Sequence, residues 1–383
     1  MQQPLIAFNG LNVRPGVADG AATVTVNLLA HLPEALPEAR FVAFLQEGEE
    51  RVPEHPRLEI MRRPRGGPAQ RVSFETLQLP RELRWLGADV LVSPFESIPF
   101  RTQCPVVVIA QNLLYHLELS TSVLAGLSRR EQLLTLARHA YYSRRMPHVY
   151  SRAARVVAVS QAVAKTLERH AGLDPERTRV VLEGSDSLLL PTSPSASTRE
   201  HALLVVSTLA PYKNLDATLD IFSRLRRDDP GMQLWIAGDD WRGYGRVVAR
   251  FVRERGLGES VDLLGAVTPQ ALVDLYAQAQ ALLLLSECES FGLPALEAMR
   301  FGLPVVVADR GALPEVVGDA GVVVDPDDIA GATERVRALL GAPGELAERA
   351  ALGRERAAVL TWRASADGMA RVVREVLAES RSG

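Results

Sequence analysis

The amino-acid sequence predicts an α/β protein with two Rossmann-like domains, each built on a doubly wound parallel sheet. First, the 383 residues exceed what one core usually serves, because most domains hold roughly 100 to 200 residues. Second, short apolar runs bounded by turn residues alternate with longer amphipathic segments, as parallel strands buried between helices do. Third, a polar stretch rich in proline and small residues interrupts this alternation near the middle of the chain. We expect the two domains to face a cleft.

The first domain is predicted over residues 1–184. Its apolar runs have the length and the flanking turn residues of buried strands. These strands are predicted at residues 4–8, 41–44, 90–92, 106–109 and 155–159.

The second domain is predicted over residues 185–383, after a hinge near residues 184–200. Its strands are predicted at residues 202–207, 233–237, 261–264, 281–285, 305–308 and 322–324. A final amphipathic helix is expected at residues 363–379, beyond the last strand, from where it can pack back on the first domain.

Charge, cysteine content and hydropathy narrow the function classes. The net charge of −3 gives no general attraction to nucleic acid, so we expect none to bind. Cys104 and Cys288 lie far apart without metal-ligand spacing, which favours neither a disulfide framework nor a zinc site and fits the cytoplasm. The first residues lack the basic and apolar regions of a signal peptide. No run approaches the ~20 apolar residues of a membrane span, so any membrane contact is expected to be peripheral.

Two carboxylates eight positions apart give the clearest signal of a site. The segment Glu289-Ser-Phe-Gly-Leu-Pro-Ala-Leu-Glu297 follows a predicted strand, Pro294 suits the first turn of a helix, and Gly302 suits its end. The free N–H groups at such a helix start favour a diphosphate, and Gly292 allows close approach. Glu289 and Glu297 could then accept hydrogen bonds from sugar and ribose hydroxyls. For isolated glutamates, solvated surface positions would be the usual interpretation.

This segment resembles the Glu-x7-Glu motif of the retaining GT-B glycosyltransferases of family 4. Gly302-Leu-Pro-Val-Val-Val-Ala308 and Gly311-Ala-Leu-Pro-Glu-Val-Val-Gly318 are also similar to that family, so the likeness covers nearly all of the second domain. It implies the GT-B fold and transfer of a hexose, with retention, from a nucleoside diphosphate sugar to a hydroxyl acceptor, which could be a glycan, a lipid or a natural product. No metal and no other cofactor is implied.

The resemblance also implies the residues of the donor site. Val205-Val-Ser-Thr-Leu-Ala-Pro-Tyr-Lys-Asn214 looks like the loop with the family's phosphate-binding lysine, which makes Lys213 catalytic together with Glu289. Family members usually add a nearby arginine, whereas residues 207–212 contain none, so phosphate binding would be weaker or use another arginine. The donor-binding residues implied are Ser290, Phe291, Gly292, Leu293, Glu297, Gly238 and Leu264. For Gly238, a simple turn out of a strand is an equally good interpretation.

The loop after the first strand is glycine-rich but lacks the dinucleotide fingerprint. The family has a mobile loop here, which implies that Gly16 and Gly20 lie near the donor phosphates and the acceptor; a flexible surface loop is the alternative. Ser160 ends the strand that closes the first domain, and we expect it to face the cleft.

The strand at residues 105–110 departs from the family pattern. It resembles the strand that ends in a His-Asp pair, but Gln111 and Asn112 occupy those places. Gln111 can hydrogen-bond a sugar hydroxyl but cannot act as a base near neutral pH. His116 could substitute, although a structural histidine is the more usual interpretation.

Two charged segments complete the prediction. Residues 128–155 hold seven arginines against one glutamate, and Arg62, Arg63, Arg65 and Arg71 lie in another loop. They favour an acidic acceptor or an anionic membrane surface, with a solvated helix face as the comparable alternative. Asp325-Pro-Asp-Asp328 has the spacing of a metal site, but helix capping is the better interpretation.

Two other functions fit parts of the sequence. A GT-B nucleotide-sugar epimerase would change its sugar with no acceptor present, and the Glu-x7-Glu form disfavours it. A catalytically degenerate GT-B protein would bind a nucleotide or a partner without turnover; Gln111 and the missing arginine near Lys213 favour that alternative.

Overall fold

The computed structural model describes residues 3–17, 19–99, 101–113, 124, 127–194 and 199–382. The chain divides into two compact units. The first comprises Met1–Asn112, Tyr141–Leu189 and Leu360–Gly383, and the second comprises Leu113–Ala140 and Leu190–Val359. Residues 113–140 therefore group with the second unit, and the final helix groups with the first.

Each unit is built on one parallel sheet. In the described residues the first sheet has seven strands in the order β3-β2-β1-β4-β5-β6-β7, and the second has six in the order β10-β9-β8-β11-β12-β13. The first sheet comprises β1 Leu5–Asn9, β2 Arg40–Gln46, β3 Leu58–Arg63, β4 Val90–Ser93, β5 Val106–Ala110, β6 Arg155–Ala158 and β7 Thr178–Val180. The second comprises β8 Ala202–Val206, β9 Gln233–Ala237, β10 Val261–Gly265, β11 Ala281–Leu284, β12 Val305–Ala308 and β13 Val322–Val324.

Helices connect the strands of both sheets. They are α1 Gly20–Ala35, α2 Pro68–Ser73, α3 Leu79–Leu86, α4 Arg129–Arg152, α5 Gln161–Ala171, α6 Leu215–Asp228, α7 Gly245–Glu254, α8 Pro269–Gln278, α9 Leu293–Arg300, α10 Leu313–Val317, α11 Ile329–Leu340, α12 Pro343–Val359 and α13 Trp362–Ser382. A π-helical turn, Phe74–Gln78, joins α2 to α3. Among the described residues, no helix is long and apolar enough to cross a membrane.

The strand predictions hold for the second sheet and are incomplete for the first. All six strands of the second sheet lie within one residue of their predicted bounds. The first sheet has two strands that were not predicted, β3 and β7, and each is at an edge. Only one side of an edge strand is paired, so β3 tolerates charged residues at both Glu59 and Arg63. These two strands consequently lack the continuous apolar run of a central strand.

The final helix completes the core of the first unit. Helix α13 packs against α1, and the Trp362 side chain at its start is fully buried. The Trp362 backbone N–H donates to the Asp186 carboxylate at 2.7 Å, and Arg374 pairs with Glu38 at 2.6 Å. Gly184 is needed beside this junction, because a Cβ there would lie 2.1 Å from the Trp362 nitrogen. These contacts tie the end of the chain to the first unit.

Candidate active site

Lys213 and Glu289 form an ion pair in the second unit, although 76 positions separate them in sequence. The Lys213 Nζ donates to Glu289 Oε1 at 2.6 Å, and both side chains are largely shielded from solvent. Burial alone would lower the pKa of Lys213, but the charge of Glu289 and its hydrogen bond outweigh that effect and raise the pKa above its ordinary value. The ammonium group is therefore charged at neutral pH.

The loops that carry this pair are fixed by further contacts. Lys213 ends a 3-10 turn, and Asn214, with φ 51°, is the N-cap residue of α6 and donates from its side-chain amide to Glu287 Oε1 at 2.9 Å. On the other side, the Glu289 carbonyl accepts from Ala312 N at 3.0 Å. Gly311 has φ 57°, and a Cβ there would lie 2.5 Å from the Glu289 oxygen, so no larger residue fits without displacing the loop. The pair is thus held by backbone as well as by charge.

Helix α9 begins beside Glu289, as predicted. Gly292 is its N-cap residue with φ 104°, and no side chain among the described residues caps the helix, so backbone N–H groups are left at its start. Pro294 lies in the first turn, and Gly302, with φ 70°, follows the last turn. This helix start offers N–H donors and the positive end of a helix dipole next to the Lys213 cation.

Two residues of the predicted donor loop make contacts of their own. The Ser290 hydroxyl accepts from Leu113 N at 3.0 Å. The Phe291 side chain is buried, so any contact of this residue with a ligand has to come from its backbone. Leu293 is half-buried at the first position of α9.

Glu297 lies one turn inside α9 and is almost entirely buried. Its Oε2 accepts a hydrogen bond from the Tyr276 hydroxyl at 2.9 Å. Burial raises the pKa of Glu297 to about 7, although the Tyr276 hydrogen bond acts in the opposite direction. Burial, together with the Glu297 charge, raises the pKa of Tyr276 well above its usual range. No sequence pattern indicated Tyr276, because its position on α8 is typical of an ordinary core residue.

Gly238 and Leu264 lie at the ends of neighbouring strands. The Gly238 N–H donates to the Gly265 carbonyl at 2.8 Å, and Leu264 is 39% exposed at the end of β10. A Cβ at Gly238 would lie 1.8 Å from the Ser207 carbonyl oxygen. Close packing of two strand ends therefore requires a glycine at position 238, whether or not a ligand binds there.

The first unit fixes Gln111 through its backbone and its side chain. Glu96 Oε1 accepts from the N–H groups of both Gln111 and Asn112 at 2.9 Å, and the Gln111 amide donates to the Pro94 carbonyl at 2.6 Å. Burial raises the pKa of Glu96 despite these hydrogen bonds. No sequence pattern indicated Glu96, which lies in the loop after β4 and accepts hydrogen bonds from the backbone after β5. His116 lies outside the described residues.

Local contacts account for three further predicted positions. Ser160 is fully buried, and its hydroxyl accepts from Val163 N at 3.1 Å as the N-cap of α5, while its expected position at the cleft stays a prediction. Gly16 is exposed with φ 79°, and Gly20 is the first residue of α1. Arg51 donates to the carbonyls of Val17 and Arg14, which restrains the loop between them.

The aspartates after β13 act as predicted for a helix start. Asp328 accepts from Gly331 N at 2.9 Å as the N-cap of α11. Arg310 pairs with Asp325 at 3.0 Å and with Asp327 at 2.8 Å. The capping interpretation is confirmed.

Comparison with protein families supplies the class. Residues 192–356 match the family described as Glycosyl transferases group 1, and residues 18–187 match Glycosyltransferase Family 4. The two matches adjoin and together span most of the chain. This chain belongs to the group 1 glycosyltransferases of the family 4 type.

Individual relatives are similar over part of their length. A D-inositol 3-phosphate glycosyltransferase of Segniliparus rotundus is 31% identical over 235 residues, which are 56% of this chain and 51% of the relative. A GDP-mannose:cellobiosyl-diphosphopolyprenol alpha-mannosyltransferase of Xanthomonas oryzae is 31% identical over 125 residues, 33% of each chain. The chain thus spans about half the length, or less, of these curated relatives.

Solved structures are similar over the whole chain. A sucrose-phosphate synthase from Thermosynechococcus elongatus has a TM-score of 0.75 at 20% identity, and the match covers 98% of this chain and 100% of the synthase chain. An Anabaena protein in complex with UDP and glucose has a TM-score of 0.68 at 19% identity and covers 99% of both chains. With the two parallel-sheet units, this likeness confirms the predicted GT-B fold.

Proposed function

We propose that the chain transfers a hexose from a nucleoside diphosphate sugar to a hydroxyl acceptor, with retention at the anomeric carbon. The observation that carries this proposal is the Lys213–Glu289 pair beside the start of α9. Its parts lie inside the segment that matches the group 1 glycosyltransferases. The named activities of the relatives and the UDP and glucose in the Anabaena structure support it.

The proposed mechanism uses Lys213 to stabilise the leaving group. As the bond between the anomeric carbon and the diphosphate oxygen breaks, negative charge develops on the diphosphate. The charged Nζ of Lys213 and the N–H groups at the start of α9 stabilise the negative charge on the diphosphate. We therefore propose that no metal or other cofactor is needed. The Lys213 ammonium donates a hydrogen bond to Glu289, and this contact sets the direction in which the ammonium points.

Retention follows if the leaving diphosphate takes the proton of the acceptor hydroxyl on the same face of the sugar. The acceptor oxygen then bonds to the anomeric carbon on the face that the diphosphate leaves. No protein base is required, which agrees with Gln111 at the place where the family has a histidine. Glu289 is proposed to accept hydrogen bonds from the sugar hydroxyls, and Glu297 from the ribose.

The stereochemistry and the donor can be tested together. Thermal-shift measurements with UDP, GDP, ADP and dTDP first identify the nucleotide, since a ligand that binds the native state raises its stability. Proton NMR of the first product formed from the matching sugar then reports its anomeric configuration. We expect the product to have the same anomeric configuration as the donor. An inverted product would exclude the mechanism. A changed sugar released without any acceptor would instead identify an epimerase.

We also propose a peripheral contact with the inner face of a membrane through residues 128–155. Helix α4 carries exposed apolar side chains at Leu133, Leu134 and Tyr141 between its arginines. Co-sedimentation with vesicles should require anionic lipid and weaken at high salt. Equal binding to neutral vesicles would contradict this contact.

A further inference from the structure

A cavity of about 280 Å³ lies in the first unit, where β1, β2 and β3 end. Leu11 follows β1, Gln46 ends β2, and Arg63 ends β3. Arg71, Phe74 and Gln78, from α2 and the π-helical turn, also line it. In parallel α/β sheets, ligands bind beyond the carboxyl ends of the strands, so the position suits a binding site. The volume is near the lower end of the ~300 to 1,000 Å³ typical of ligand pockets, which suits one small polar molecule or headgroup.

The lining of this cavity is positively charged. Among the residues that the structure describes, the lining includes Arg63 and Arg71 and no acidic residue. Arg63 is neutralised, because it pairs with Glu82, and its guanidinium lies 5.6 Å from the ring centres of Phe44 and Phe74. Its charge and orientation are therefore fixed by the protein itself.

Arg71 is different, because its charge has no partner in the part of the chain that the structure describes. No described carboxylate forms an ion pair with Arg71, and its Nε is shielded from solvent without a hydrogen-bond acceptor among the described residues. A buried N–H without an acceptor destabilises the protein, and more so when the group is charged. An anion bound in the cavity would remove that destabilisation and would pair with the planar guanidinium through two parallel hydrogen bonds.

The remaining polar groups suit hydroxyls. The Gln46 amide donates to the Leu11 carbonyl at 2.7 Å, which leaves its oxygen as an acceptor. Ser73 and Gln78 add groups that can both donate and accept, and Phe74 contributes an apolar face. A cation beside several neutral polar groups matches a phosphorylated polyol better than a bare anion.

We infer that this cavity holds the phosphate-bearing end of the acceptor, with Arg71 contacting the phosphate and Gln46 and Gln78 contacting hydroxyls. The inference rests on the proposed function and names its acceptor class: a sugar or polyol phosphate. The same chemistry is found in a free sugar phosphate and in the sugar diphosphate headgroup of a polyprenyl lipid. The test therefore includes both.

Binding is measured first, without turnover, by calorimetric titration of the parent with glucose 6-phosphate and with glucose. A polyprenyl diphosphate-linked glucose in detergent micelles forms the second arm. The same titrations are made on Arg71→Gln, on Arg71→Lys and on a matched control, Arg81→Gln, whose exposed side chain is on α3 and does not line the cavity. Thermal shift with the nucleotide is run on each variant, because it reports fold and donor binding in the second unit.

We expect the parent to bind at least one phosphorylated probe at least tenfold more tightly than glucose. Arg71→Gln should lose that preference by at least tenfold, Arg71→Lys should keep part of it, and Arg81→Gln should match the parent. The phosphorylated probe that binds shows whether the acceptor is a free sugar phosphate or a lipid-linked one. Equal binding by parent and Arg71→Gln, or a parent that binds neither phosphorylated probe, overturns the inference. A parent that binds phosphate but no nucleotide would count against the proposed function and leave the cavity assignment standing.

Discussion

Glu297 should make the stability of the protein depend on pH in an unusual direction. Burial raises its pKa from about 4.5 to about 7, so the folded state holds a proton that the unfolded state has already released. Stability from this group is therefore complete below about pH 4.5 and is lost as pH rises through 7. Most native carboxylates act in the opposite sense.

The magnitude follows from the size of the shift. About 2.5 pKa units at 1.36 kcal/mol each amount to about 3 kcal/mol lost between pH 4.5 and pH 8. Glu297→Gln is nearly isosteric with the protonated acid and keeps an oxygen for the Tyr276 hydroxyl. We expect this variant to match the parent at pH 4.5 and to exceed it by about 3 kcal/mol at pH 8.

Denaturant unfolding from pH 4.5 to 8, followed by a probe in the second unit, measures this difference. The matched control is Glu259→Gln, at an exposed glutamate of the same unit. The free energy of unfolding of this control should change with pH in the same way as that of the parent. Parallel curves for Glu297→Gln as well would refute the buried, protonated carboxyl.

The same pKa predicts a proton linkage in nucleotide binding, if ribose hydroxyls donate to the ionised carboxylate. With a pKa near 7, about one molecule in ten is ionised at pH 6, so the dissociation constant should be about tenfold larger there than its limiting value at high pH. Titrations at pH 6 and pH 8 report this ratio, and Glu297→Gln should show none of it. A dissociation constant in the parent that does not change with pH would contradict ribose binding through ionised Glu297.

Further predictions concern packing and reactivity. Trp362→Ala should cost about 3 to 5 kcal/mol in the free energy of unfolding of the first unit, and a loss below 1 kcal/mol would contradict the packing of α13 on α1. Gly311→Ala should destabilise the second unit by about 2 kcal/mol or more and should impair sugar transfer. The control is Gly258→Ala, where an added Cβ contacts nothing and the stability should change by less than about 0.5 kcal/mol. Equal losses of stability in the two variants would refute the close approach at Gly311. Burial and the neighbouring Glu289 raise the pKa of Cys288 to about 12, so iodoacetamide should alkylate it at pH 8 only after denaturant is added, and rapid labelling of the native protein would contradict this.

The fold was largely predictable because each buried parallel strand corresponds to a short apolar run in the sequence. Each strand of the second sheet is an apolar run such as Ala281–Leu284, covered on both faces. Strand β3 escaped prediction because an edge position allows charges within it. The grouping of α13 with the first unit depends on contacts such as Trp362 to Asp186, which pair residues 176 positions apart, and no local pattern specifies them.

Motifs with fixed spacing indicated individual candidate positions, but they did not indicate which distant groups come into contact. Lys213 and Glu289 were each expected from their own loops, but their 2.6 Å contact depends on the packing of two strand ends. Glu96 and Tyr276 had no signal, because a single polar residue in a loop or on a helix face does not reveal its partner. The Ser160 hydroxyl accepts from the backbone at the start of α5, which is a common role for a serine before a helix.

The rate of nucleoside diphosphate release by a Lys213→Ala variant tests the central claim most directly. The control is Lys165→Ala, which removes the chain's other lysine from an exposed position on α5. Both proteins are first shown to be folded by thermal unfolding. The proposed role predicts a loss of about 10²- to 10³-fold in kcat for Lys213→Ala and none for Lys165→Ala. Parental rates in a folded Lys213→Ala protein would contradict the assignment of the active site.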